Sequence, residues 1–276
     1  MSVDLSKLKR PSFVANDPQA RVAELVARYE AASGKTVYPA QPERLLIDGI
    51  AYADANLRTA IQYAGEQNLL AYAEGDALDH LAAFFGVTRL VNEEDGRLRE
   101  RVRLAPESFS VAGSRGAYRY WAMTADPTIS DVAVTSPDPG VVRIYPLTKT
   151  GMPSDNILAA VAGICSQETV RPLCDTVHVA EPEEVSYAIS AVVRPYVGYN
   201  GELAREEAQA SARAWADKTS AALGRDIVCS QIIAALSTTG VYKVTLSFPA
   251  SDQVLDVYQW AHCTAVTVTL GDMANG

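Results

Sequence analysis

The chain has 276 residues, 48% of them hydrophobic and 21% charged, with a formal net charge of −9. That length and balance supply one large or two ordinary globular domains with real cores, and exclude a disordered or fibrous chain. The acidic surplus also excludes a polyanion binder, because phosphate contacts need clustered Lys and Arg, so neither nucleic acid nor an anionic membrane is an expected partner.

Residues 22–32 place Val22, Leu25, Val26 and Tyr29 at helical spacing, and Ser33-Gly34 closes that helix. After a proline-bearing joint at 37–42, residues 42–72 read as one long helix. Pro42 suits its first position, and Glu43 suits the positive end of the dipole. No proline follows until Pro106, and Gly75 marks the far end. A continuous helix there is about 45 Å long. Its residues Leu46, Ile50, Ala53, Leu57, Ala60 and Ala64 step by 4, 3, 4, 3 and 4, the seam of a helix bundle. Alanine at half of these positions lets helix axes approach closely. A second stripe, Leu45, Gly49, Tyr52, Thr59 and Tyr63, flanks the first and implies a second packing partner.

Asp76 is placed to cap a helix over 77–85 that Gly86 ends. A helix over 93–104 carries Arg97, Arg99, Arg101 and Arg103. Beside Glu93, Glu94 and Glu100 these read as a solvated face, with a patch for an acidic partner as the alternative. Another helix, 114–124, stops before Asp126-Pro127. Beyond Pro127 the apolar period changes from helical to two. Strands at 129–136 and 141–147 flank the turn Pro137-Asp-Pro-Gly140; a helix capped by Ser154 and a strand at 176–180 complete a ββαβ unit. Val185, Tyr187, Ile189, Ala191 and Val193 alternate on one strand. Helices at 202–223 and 227–236 and strands at 241–248 and 264–270 then make a βααββ unit. The expected fold class is α+β: a helical region with a long bundle-forming helix, 1–126, and two small α+β modules, 127–182 and 183–276.

Catalytic constellations are missing from the sequence. His80, His178 and His262 sit in no HxxxH or HxE context. Cys165, Cys174, Cys229 and Cys263 form no CxxC pair and read as buried thiols. Gly113-Ser-Arg-Gly116 lacks the spacing of a nucleophile elbow and reads as a loop and helix start. Gly198-Tyr-Asn-Gly201 reads as a turn, since Glu202, Glu206 and Glu207 would repel a phosphate backbone. Glu181, Glu183 and Glu184 around Pro182 read as a solvated acidic loop. No catalytic residue, cofactor or metal site is therefore expected. A hydrolase, the alternative from another class, would need Ser, His and Asp or paired carboxylates converging in a pocket. No apolar run reaches the ~20 residues of a membrane span. Residues 1–11 carry Lys7, Lys9 and Arg10 without a following apolar run, which does not describe a signal peptide.

Several segments in order carry a family resemblance: Glu43-Arg-Leu-Leu46, Asn68-Leu-Leu-Ala-Tyr-Ala-Glu-Gly75, Asp76-Ala-Leu-Asp-His-Leu81 and Phe85-Gly-Val-Thr-Arg-Leu90. Arg97-Leu-Arg-Glu-Arg-Val102, Ala105-Pro-Glu-Ser-Phe-Ser-Val-Ala-Gly113, Arg115-Gly-Ala-Tyr-Arg-Tyr120 and Asp131-Val-Ala-Val-Thr-Ser136 continue it. Together they resemble the baseplate J family of contractile phage tails. The resemblance implies a structural wedge protein of the virion tail baseplate, made in the bacterial host cytoplasm and without catalytic residues. Its implied partners are a second copy of itself, a tail protein I-like wedge partner, a W-like sheath-initiator wedge protein and the neighbouring wedges of the ring. It implies that the ring governs sheath contraction, and that the α+β modules serve contacts between wedges. A tailocin or another phage-derived injection system is the alternative setting.

Overall fold

The computed structural model describes residues 5–109 and 113–275. Ser110 to Ala112, inside one family-like segment, lie outside the described residues. The chain divides into two compact units, one reaching Arg89 and including Glu94–Val102, the other holding Leu90–Glu93 and the chain from Arg103 onward. The secondary structure is α+β.

In the first unit, α1 (Pro18–Ser33) starts where the Asp17 side chain accepts from the Gln19 and Ala20 amides, and ends at left-handed Gly34. The long helix α2 spans Pro42–Glu66, 25 residues, so it is about 37 Å long rather than 45. Its last turn holds Gly65, but neither Gly nor Pro follows until Gly75, which is why the sequence overextends it to 72. Instead the chain tightens: Asn68 N bonds Gly65 O and Leu69 N bonds Glu66 O. The freed carbonyls find other donors. Asn68 Nδ2 reaches Ala64 O at 2.8 Å, and Arg99 reaches Leu70 O at 2.7 Å and Ala73 O at 2.6 Å. Gly75, at φ +52, opens α3 (Gly75–Ala83) rather than closing α2. Asp76 lies in the first turn of α3 and is not its cap, which is Glu74.

The arginine helix α4 (Asp95–Leu104) is not a solvated face. Arg97 and Arg101 are buried, and Arg101 Nη1 donates to Thr88 O at 3.2 Å. Guanidinium groups here saturate backbone carbonyls of neighbouring turns, a use of arginine that charge counting does not see.

In the second unit, α5 (Arg115–Ala125) is capped by Ser114, whose Oγ accepts from Ala117 N at 3.1 Å. It packs on β1 (Ile129–Thr135) and on α6 (Asp155–Cys165), so this helix belongs with the first sheet and not with the helical region ending at 126. That sheet has β2 (Val141–Thr148) at its centre, antiparallel to β1 and parallel to β3 (Thr176–Val179). The second sheet is built likewise around β4 (Glu183–Pro195), antiparallel to β5 (Val241–Phe248) and parallel to β6 (Gln259–Leu270).

The alternation along β4 sends Tyr187, Ile189, Ala191 and Val193 into a core with Ala208, Ala212 and Ala216 of α7 (Gly201–Ser220) and Ile232 and Leu236 of α8 (Cys229–Leu236). Alanines every four residues let α7 lie close on the sheet. Glu183 and Glu184 are part of β4, not of an acidic loop. Only Cys165 is buried, and burial pushes its thiol up to about 12; Cys174 is exposed, and all four cysteines are free.

Candidate interaction surface on the long helix

Helix α2 has two faces of opposite chemistry. On the inner face, Ile47 and Ala51 are buried, and Val22, Leu25, Val26 and Tyr29 of α1 are half-buried. Further along this face Asp54, Arg58, Gln62 and Glu66 form a ladder four residues apart, which puts them in line. The ladder grips an N-terminal strap. Arg10 meets Glu66 through two bonds of 2.6 and 2.8 Å. Gln62 Oε1 accepts from Phe13 N, and its Nε2 donates to Pro11 O, both at 2.8 Å. Arg58 donates to Ala15 O at 2.9 Å and to Asp54 at 2.8 Å. The hydrogen bonds from Arg10 and then Gln62 hold the Glu66 carboxyl down at about 2.

The outer face is bare. Leu46, Ile50, Ala53, Leu57, Ala60 and Ala64 are all exposed, Leu46 by 70% and Leu57 by 60%. Leu45, Tyr52 and Tyr63 of the flanking stripe are exposed as well. Ile61, not assigned to either stripe from the sequence, joins them; it lies four residues beyond Leu57, and that spacing was the available signal. From Leu45 to Ala64 the stripe runs for about 29 Å. An exposed apolar band of that length makes this face the candidate interaction surface.

The groups weighed for catalysis do not assemble. His80 and His178 are exposed. His262 Nδ1 lies 2.6 Å from Glu184 Oε1, across neighbouring strands, and its ring stacks on Trp260 at 4.6 Å. His262 hydrogen bonding lowers the Glu184 carboxyl, as does the Ser186 hydroxyl. No group of three metal-ligating side chains occurs among the described residues. No described helix is long and apolar enough to cross a membrane.

Comparison with known proteins fixes the class. The baseplate J-like N-terminal domain matches residues 41–95, the central domain 110–181 and the C-terminal domain 187–269. The chain belongs to the baseplate J-like family and is a component of a contractile phage tail baseplate. It is 34% identical to Baseplate protein J of Escherichia phage P2, over 98% of both chains. Among solved structures, a chain of the anti-feeding prophage baseplate matches 54% of this chain and 36% of its own length, with 16% identity and a TM-score of 0.38.

Proposed function

We propose that this chain is a non-enzymatic wedge subunit that assembles with other baseplate proteins through the bare stripe of α2. The stripe forms a helix bundle with a second copy of the chain and a tail protein I-like partner. Neighbouring wedges and a W-like sheath initiator complete a ring that controls sheath contraction. The observation that carries this reading is the exposure of all six seam residues on a helix whose other face the chain itself occupies.

The mechanism is mechanical and uses no cofactor. Packed interfaces have a few discrete arrangements, so a wedge re-docks as a rigid body when its neighbours move. The small residues Ala53, Ala60 and Ala64 suit a seam that two identical copies must use in different surroundings.

Co-expression with the neighbouring tail genes, followed by native mass measurement, tests this. Complexes of this chain with a second copy and a protein I-like partner are expected, and Leu57→Asp should abolish them. A chain that stays alone beside all co-expressed tail proteins would refute the proposal.

A further inference from the structure

Each three-stranded sheet leaves two edges, and proteins guard such edges with charge, proline, bulges or brevity, because unpaired N–H and C=O groups template another strand. Three of the four edges here are guarded. β3 has only 4 residues. β1 carries Asp131, beside a register shift. β5 carries Lys243, meets β4 across two register shifts and runs into Pro249.

β6 differs. It has 12 residues, and from Ala265 to Leu270 the run Ala-Val-Thr-Val-Thr-Leu has no charge, no proline and no register shift. Among the described residues it pairs with β4 alone. In a parallel ladder, alternate residues turn their backbone groups away from the partner, so this run offers a regular row of outward donors and acceptors. α7 lies chiefly over β6. Between helix and strand is a groove of about 560 Å³, lined by Arg205, Glu206, Gln209, Ala210 and Arg213 of α7 and Val266 of β6.

We infer that this groove takes an extended segment of another polypeptide, which joins the second sheet as a strand beside β6. Backbone pairing supplies the affinity and the helix wall supplies the selection. Side chains turned toward α7 meet Val266 and Ala210, so they are apolar. At one end they meet Arg213, which is 55% exposed and only 3.6 Å from its carboxylate neighbour Asp217. Arg205 is more tightly engaged, at 2.8 Å from Glu202. The segment is therefore free of proline, alternates apolar and polar residues, and carries an acid near Arg213. A second copy of this chain does not fit the edge. Antiparallel two-fold pairing of β6 strands sets them ~4.8 Å apart and brings the overlying α7 helices to about that spacing, under the 8–10 Å that packed helices need.

The source of the segment, another subunit of the same baseplate, rests on the function proposed above. The test uses the full-length chain and labelled peptides of about ten residues, tiled across the co-encoded tail proteins and across this chain, long enough to span the strand. At least one foreign peptide should bind and protect the amides of 265–270 from hydrogen exchange, with β5 unchanged. Thr267→Lys, a guard charge on an exposed strand position, should weaken it at least about tenfold. Arg213→Gln, away from the core, should weaken the acidic peptide and provides the readout if the lysine variant folds poorly. The inference is overturned if no peptide binds, if only peptides of this chain bind, or if protection falls elsewhere. None of these outcomes bears on whether Leu57→Asp abolishes the wedge complex, so the two readings fail separately.

Discussion

Leu57→Asp separates assembly from folding. Leu57 is 60% exposed in the chain alone, so most of its apolar surface is still available to a partner. Completing the burial of one leucine is worth about 1–2 kcal/mol. Placing an unpaired carboxylate in the same seam costs several kcal/mol more. Together the substitution should weaken the bundle by about 4–6 kcal/mol, some three to four orders of magnitude in affinity. The free chain should barely notice, because an exposed helix position tolerates Asp for less than about 1 kcal/mol. Ala51→Asp provides the contrast, since Ala51 is 1% exposed and lies on the inner face. That variant should lose folding stability first. The assay is affinity capture from a co-expressing strain with native mass measurement, beside thermal unfolding of each variant alone. If the Leu57→Asp chain is recovered in complexes of unchanged mass and yield, the stripe is not the seam.

Three further outcomes follow from the same structure. Glu66 has its pKa lowered on folding from 4.5 to about 2, so its clasp is fully present above pH 4.5 and is lost as pH falls toward about 2; normalised hydrogen-exchange protection of residues 8–17 should fall across that window, and Glu66→Gln should remove the pH dependence. Gly151 sits at φ +110, and a Cβ there would stand 2.9 Å from the Trp260 ring, so Gly151→Ala should destabilise the second unit by about 1–3 kcal/mol in denaturant unfolding followed by tryptophan fluorescence. Ala60→Leu adds apolar surface to an exposed site and should leave the chain's own stability within about 0.5 kcal/mol, yet it should weaken co-purified complexes by about 1–3 kcal/mol through overpacking; an undiminished complex would show that the alanines are not in close contact.

Much of the fold was legible because it is written in local chemistry. Period-two alternation on β4, the helix start at Ser114 and the Gly34 stop act within a few residues, and each is where the structure has it, whereas the helix expected over 202–223 ends at Ser220. What failed to show was settled over distance. Beyond Glu66 the carbonyls of Leu70 and Ala73 are captured by Arg99, 29 and 26 positions along the chain. Arg99 and Arg101 of α4 donate to backbone oxygens of turns distant in sequence, which no count of neighbouring acids can reveal. Glu184 meets His262 only because β4 and β6 run side by side, 78 residues apart in sequence. On the surface of α2, spacing identified the six seam residues as one line. It could not say which side the chain's own strap would take, because that depends on the polar ladder Asp54, Arg58, Gln62 and Glu66, each step of which looks like an ordinary surface pair.

The strap explains how a helix can keep an apolar face open and still be a helix. Most helical stability in proteins comes from burying an amphipathic helix's apolar face rather than from propensity. In the single chain the outer stripe contributes none of it. The inner face substitutes for it, with α1 and the clasps of Arg10, Asn16 and Arg58 holding α2 straight through its polar side. Because these contacts, the apolar burial of Ile47 and Ala51 and the polar clasps alike, lie on one face, they leave Leu46, Ile50 and Leu57 exposed. In the wedge proposed above, a partner would meet a stripe already ordered along its length, and the entropy of forming the helix would not be charged against the bundle. On this account, loosening the strap lowers the affinity of the wedge even though no strap residue touches the partner.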